Sequence, residues 1–260
     1  MDEMNIWSGK FQTFSEASSN SRQRHDPLPW IGKSRDRAER MRSSATLDIF
    51  EIFTANPLIL FPPIASLLKT HSKITITDVG GNLGQLATFV SRFLPVGCVK
   101  WNVVEVEELI NHPQVSNHLT EDLSFFSNLN GVKGGTNILY FGSSIQYIEH
   151  LELEVFDFVK REAPEYIVIA DGMVGDNIPT FVTRQKYYDT YFVSKFRNFG
   201  DLDASLKDLG YSLLLKHSAL NSKNASYYPS AGLPRDLQIP FPLDLLYNRN
   251  NEPLPAPIPE

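Results

Sequence analysis

The sequence predicts an α/β fold, a mostly parallel seven-stranded sheet with helices on both faces. Three observations predict it. A strand, a glycine turn and a helix follow one another between Lys73 and Leu94. Near-continuous apolar strands then alternate with helical stretches, the pattern of a sheet buried on both faces. Polar residues recur at the strand ends, where such sheets bind ligands near a topological switch point.

At the N-terminus, residues 1–70 read as an extension with few strand signals, mostly helical or irregular. W-S-G-K-F-Q-T-F-S-E-A-S carries three aromatics, and Ser15 is positioned to cap a short helix. Arg22 to Arg42 is rich in Arg and Lys, which suits a solvated helix face or a basic lip for an anionic substrate. Leu47 to Phe53 forms a dense apolar segment that should dock as a helix. The start, M-D-E-M-N-I-W, is acidic and has no apolar signal core, so no secretory peptide is expected. Pro57 to Leu68 is too short and too proline-broken to span a bilayer.

The main domain, 71–250, opens with Ile74 to Val79, whose β-branched residues suit a pleated strand. Gly80-Gly81-Asn82 stops the run with residues that tolerate positive φ. Leu86, Phe89, Val90, Phe93 and Leu94 then fall on one helix face, ending before Pro95. Val99 to Val104 is a second strand, closed by Glu105, and Glu107 to Asn117 is helical or irregular. Leu123 to Phe126 and Asn137 to Phe141 are the third and fourth strands. Leu151 to Arg161 reads as a helix, and Tyr166 to Ala170 as a fifth strand ending at Asp171. Phe181, Gln185, Tyr188, Phe192, Phe196 and Phe199 mark one face of a long helix. Tyr211 to Lys216 and Leu243 to Tyr247 are late strands, separated by a Ser-, Asn- and Pro-rich loop. The tail, 251–260, is Pro-rich and extended.

Composition narrows the function. With 24 basic and 30 acidic side chains the net charge is −6, which argues against general nucleic-acid binding. The single cysteine, Cys98, excludes an internal disulfide framework and fits a reducing, cytoplasmic compartment. The six histidines show no H-x-x-x-H or H-E-x-x-H spacing, so no metal site is expected.

The turn D-V-G-G-N-L-G fails the G-x-G-x-x-G spacing of a dinucleotide fold, which counts against an NAD-linked oxidoreductase. Asp78, just before the first glycine, repels phosphate and suits a cationic group. Glu105, closing the next strand, can accept both hydroxyls of a ribose. An ammonium group, a ribose and no phosphate describe S-adenosylmethionine.

D-x-G-x-x-x-G after a strand, with an acid closing the next strand, resembles the class I S-adenosylmethionine-dependent methyltransferases, which have a Rossmann-like fold. W-S-G-K-F-Q-T-F-S-E-A, T-D-V-G-G-N-L-G, W-N-V-V-E, I-L-Y-F-G-S-S-I-Q-Y-I and G-Y-S-L-L-L together resemble a family of bacterial methyltransferases. That family is assigned by similarity and associated with surface-polysaccharide and lipopolysaccharide gene clusters. The resemblance implies that Asp78, Gly80, Gly81, Asn82 and Gly84 line the methionine moiety and Glu105 the ribose. It implies that Phe126 and Ser127 lie beside the adenine, with Ser143, Ser144, Gln146 and Tyr147 below the reactive methyl. Asn82 departs from the commoner D-x-G-x-G-x-G pattern, where a glycine stands. Tyr147, His150, Asp171 and His217 are the candidate bases for a small-molecule or glycan acceptor. The alternative is a methyltransferase-like chain that has lost catalysis and serves as a binding scaffold.

Overall fold

The computed structural model describes residues 6–19, 32, 36, 56–111, 121–187, 190–219 and 230–250. The expected segments Leu47–Phe53, Arg22–Arg42 (apart from two positions) and 251–260 lie outside the described residues.

The chain opens with a strand, β1 (Trp7–Phe11), where helical or irregular structure was expected, followed by helix α1 (Phe14–Ser19). Ser15 does not cap α1. The Thr13 hydroxyl does, accepting from the Glu16 amide at 3.1 Å while the Glu16 carboxylate accepts from the Gln12 amide at 2.8 Å. This reciprocal exchange is a variant of the capping box. A single 3₁₀ turn, Pro57–Leu60, leads into α2 (Phe61–Leu67).

Then come β2 (Ile74–Val79), α3 (Gln85–Val90), β3 (Val99–Val104), α4 (Glu107–Ile110), β4 (Leu123–Phe126) and β5 (Ile138–Gly142). A π-helical stretch, Glu152–Phe156, runs into α5 (Asp157–Glu162) and β6 (Tyr166–Gly172). The rest is β7 (Val174–Gly175), β8 (Phe181–Tyr187), β9 (Thr190–Asn198), α6 (Phe199–Asp208), β10 (Tyr211–Ser218) and β11 (Leu243–Arg249).

Seven strands form one sheet in the order β10-β11-β6-β5-β2-β3-β4. β6, β5, β2, β3 and β4 run parallel, while β11 is antiparallel to both its neighbours. The order reverses beside β2, so the glycine turn after β2 stands at the topological switch point.

Alternation along the strands fills both faces. Ile74, Ile76, Val103, Tyr140, Val168 and Ala170 pack with Leu60, Ile64, Phe89 and Trp101 on one side. Val79, Val104, Phe141, Ile167 and Ile169 pack with Phe158, Leu202, Leu206 and Tyr247 on the other. α3 is shorter than expected: Leu86, Phe89 and Val90 are buried, but Phe93 lies beyond the helix, 59% exposed, with its ring 5.1 Å from that of Phe89.

The long helix expected over Phe181 to Phe199 is instead a β-hairpin. β8 and β9 pair antiparallel from Phe181↔Phe196 to Tyr187↔Thr190. The aromatic spacing imitates a helix, but nine of the fifteen residues in F-V-T-R-Q-K-Y and T-Y-F-V-S-K-F-R are β-branched or aromatic, and that composition wins. β1 joins the hairpin (Trp7↔Gln185) and β7 pairs with β9, completing a second sheet, β1-β8-β9-β7. Trp7, fully buried, meets the Phe196 ring edge-on at 4.8 Å and packs with Phe181, Met173, Ile178 and Ile239.

Candidate functional site

The carboxyl ends of β2 to β6 meet on one rim. At its centre the chain leaves β2 through Asp78 and Val79 and turns sharply. The Gly80 amide donates to the Val104 carbonyl at 2.8 Å, which holds the turn against β3. Gly80, Asn82 and Gly84 have φ of 73°, 58° and 72°. The departure from the glycine pattern therefore falls on a position that needs the left-handed region, and Asn is among the side chains that enter it most readily. Its Oδ1 accepts from the Leu83 amide at 2.8 Å.

The glycines are required by the protein's own packing. A Cβ on Gly80 would lie 2.6 Å from Ser144 Cβ, and one on Gly81 would lie 2.5 Å from Asp78 Oδ2. The turn is pressed against the loop after β5, and the Asp78 carboxyl lies against the turn's backbone.

Two acids flank this bend. Asp78 is 2% exposed, and no hydrogen bond reaches its carboxyl among the described residues. Burial, with the Glu105 charge adding to it, pushes its pKa up to about 8. Glu105 is also buried and pushed upward. It keeps two compensations: Oε1 accepts from the Asn82 amide at 2.9 Å, and Oε2 from the Val106 amide at 3.0 Å. Glu105 thus ties the turn to β3.

Phe126 ends β4 beside this acid, its carbonyl accepting from the Glu105 amide at 2.9 Å. The Ser127 hydroxyl accepts from Asn128 at 3.2 Å. After β5, Ser143 adopts φ 55° and donates its hydroxyl to Asp171 Oδ2. Ser144 donates to the Val79 carbonyl, joining this loop to β2. Gln146 is 2% exposed. Its Nε2 donates to the Ser143 carbonyl at 2.7 Å, while its Oε1 finds no partner among the described residues.

The candidate bases separate. The Tyr147 hydroxyl donates to Gln185 Oε1 on β8 at 2.6 Å. His150 is 60% exposed beside Glu149, and His217 is exposed on β10 opposite Asp244. Asp171 is buried, at φ 55°, holding the Ser143 hydroxyl, and its amide donates to Asp244 Oδ1 at 2.8 Å. Only Asp171 is both buried at the rim and bonded to another candidate.

Sequence reasoning missed Asp244, which is 3% exposed and pushed upward by burial, against the pull of the Asp171 amide. A lone acid interrupting L-D-L-L-Y was the available signal. It missed Tyr140, whose phenol is driven well above its ordinary range by burial and the charges of Asp78, Asp244 and Asp171. Gln185 and Arg197 had no local signal, because their partners are distant in sequence. No group of His, Cys, Asp and Glu capable of holding a metal is found among the described residues.

No protein-family model matches the chain, and no curated protein matches it. Solved structures do. The structure of LepI in complex with S-adenosylmethionine aligns over 95% of this chain and 60% of its own, at TM-score 0.50 and 13% identity. A chain from the complex of the Haloferax volcanii Trm112 methyltransferase activator aligns over 87% of this chain and 96% of its own, at 0.50 and 10%. A pericyclic reaction enzyme aligns over 95% and 60%, at 0.50 and 14%. The fold is that of the Rossmann-like S-adenosylmethionine-dependent methyltransferases. In that methyltransferase fold, identities this low speak to architecture alone, and the pericyclic enzyme is a reminder that one fold hosts several chemistries. No helix among the described residues is long and apolar enough to cross a membrane.

Proposed function

We propose that the chain binds S-adenosylmethionine over the Asp78–Gly84 turn and transfers a methyl group to a small-molecule or glycan acceptor. The carrying observation is the pair of buried carboxylates on either side of a left-handed bend, one of them without a hydrogen bond among the described residues. A buried acid without donors is costly, and a ligand cation relieves that cost.

The residues present suit the cofactor. Asp78 would take the ammonium group. Each Glu105 oxygen accepts one backbone amide and keeps a second lone-pair direction, enough for the two ribose hydroxyls. Phe126 offers an aromatic surface for the adenine, and Ser127 a polar edge. The unpartnered Gln146 Oε1 is a further acceptor in the loop that would lie below the methyl.

The bound cofactor supplies an activated methyl on a sulfonium. This chain's contribution is positioning, worth several kcal/mol, and proton removal from the acceptor. Asp171 is the best-placed base: it already holds a hydroxyl, that of Ser143, and an acceptor hydroxyl could take that place or pass its proton through it. Tyr147 serves better as a wall of the acceptor pocket, with its ring 5.8 Å from that of Phe192. The resemblance to chains associated with surface-polysaccharide gene clusters suggests a bacterial cytoplasmic enzyme with a sugar hydroxyl as acceptor.

Calorimetric titration with S-adenosylmethionine and S-adenosylhomocysteine tests the reading. Binding in the micromolar range that Asp78→Asn weakens by at least about tenfold is expected, since charge-assisted contacts are worth roughly 1.5–3 kcal/mol. An absence of heat from the unaltered chain would turn the reading toward a scaffold without cofactor.

A further inference from the structure

Three consecutive residues of the loop after β5 are each fastened to the β8–β9 hairpin. The Tyr147 hydroxyl donates to Gln185 Oε1 at 2.6 Å. The Ile148 carbonyl accepts from an Arg197 guanidinium nitrogen at 2.6 Å, and the Glu149 carbonyl accepts from Lys195 Nζ at 3.1 Å. Arg197 is 5% exposed, an expensive place for a cation. Burial lowers its pKa to about 10, against the opposing charges of Glu152 and Glu154, so it stays protonated. Its other nitrogen donates to the Lys195 carbonyl, and its backbone amide donates to the Met173 carbonyl at 3.0 Å, two residues beyond Asp171. Residue 197 therefore touches both the loop that carries Ser143 and the strand end that carries Asp171.

We infer that Arg197, with Lys195 and Gln185, is a positioning residue that sets the Ser143–Glu149 loop against Asp171. The physical reason lies in the loop itself. It begins at Ser143 with a left-handed φ, runs through one 3₁₀ turn (Ile145–Tyr147), and then has carbonyls at 148 and 149 with no helix to receive them. Backbone polar groups at such a break need outside partners, and a cation is the strongest donor available. Because β1 pairs with β8 and buries Trp7 against Phe196, the loop's position depends on the far N-terminus of the chain. A bond deleted at Arg197 frees the 147–149 end of the loop, while the Gly80 turn keeps its own bonds to Val104 and Glu105 and Ser144 keeps its bond to the Val79 carbonyl.

The functional weight of this clamp rests on the proposed cofactor site, but its existence does not, and amide hydrogen exchange on the full chain separates the two. In Arg197→Met, exchange at the Ser143, Tyr147 and Ile148 amides should quicken by about tenfold or more, with Gly80 and Asn82 unchanged. Arg197→Lys, which can still donate to the Ile148 carbonyl, should recover much of the protection. Lys195→Met and Tyr147→Phe, at less buried sites, should give smaller local increases. S-adenosylhomocysteine affinity should fall about threefold or more in Arg197→Met and recover in Arg197→Lys. Unchanged exchange in all of these variants overturns the clamp, as does quickening spread evenly over both sheets without rescue by lysine. Local quickening in a chain that never binds S-adenosylhomocysteine upholds the clamp and sinks the cofactor reading.

Discussion

The rim of the seven-stranded sheet and the small sheet beside it are built on opposite plans. Around the turn after β2, strand, bend and helix are contiguous in sequence, and each glycine is answered by a neighbour such as Asp78 or Ser144. The small sheet is local only in its β8–β9 hairpin; the rest is brought together from distant segments. It pairs Trp7 with Gln185 and Val174 with Arg197, and its interior assembles from Trp7, Phe181, Phe196 and Ile239. The first plan creates a strained, acidic recess. The second holds one of its loops. The candidate site and the sheet that steadies it thus occupy separate parts of the fold, with the junction at Tyr147 to Glu149.

Removing the strain from the recess should produce the largest effect. Asp78 has a folded-state pKa raised to about 8, above its unfolded value. Its contribution to stability is therefore fully present below about pH 4 and is lost as pH rises through about 8. Relative to Asp78→Asn, the unliganded protein should lose on the order of 5 kcal/mol between those limits, read from urea denaturation at a series of pH values. A cationic ligand reverses the preference, so its affinity should rise over the same pH window and stay flat in Asp78→Asn. Equal pH profiles for the two proteins would show that the recess is not strained.

The small sheet should break differently. Trp7→Ala deletes the largest side chain in its interior and should cost roughly 3–5 kcal/mol. The loss of protection should be concentrated in β8, β9 and the Ser143–Glu149 loop, and if the Gly80 turn loosened equally the two plans would not be separate. Gly80→Ala tests the converse. Its φ of 73° and the 2.6 Å approach to Ser144 Cβ should together cost roughly 2–4 kcal/mol. Its exchange changes should centre on the β2 turn and Ser144, leaving β1 and β8 protected.

The same contrast decides what the sequence could disclose. The strand boundaries at Ile74–Val79 and Val99–Val104, the acids Asp78 and Glu105 at their ends, and the parallel arrangement were legible because β-branched runs and glycines act locally. The hairpin was masked. Phe181, Gln185, Phe192 and Phe196 satisfy a helical period by coincidence, a signal that competes with the β-branched and aromatic residues around them, and pairing with Trp7–Phe11 and burial against Met173 and Ile239 decide for the sheet. Asp171 was visible as a polar strand end, but its engagement with Ser143 and Asp244 depends on three strands meeting. Arg197 reads in sequence as one more charge among aromatics, and its role exists only where loop and hairpin touch.

Asn82 offers the finest test of the rim, and the smallest. Its φ of 58° favours glycine, yet its side chain returns something glycine cannot: Oδ1 accepts from the Leu83 amide. Its own amide, which donates to Glu105, is the same whatever the side chain. Asn82→Ala raises the left-handed cost and loses the Oδ1 contact, so it should destabilise by roughly 1–2 kcal/mol. Asn82→Gly removes the steric cost while losing that contact and loosening the unfolded chain, and these nearly cancel to within about 0.5 kcal/mol. The informative quantity is the difference between the two variants in thermal stability and S-adenosylhomocysteine affinity. If glycine matches asparagine in both while alanine fails, the turn asks only for a backbone shape. If glycine too loses affinity at unchanged stability, the asparagine amide itself belongs to the ligand's surroundings.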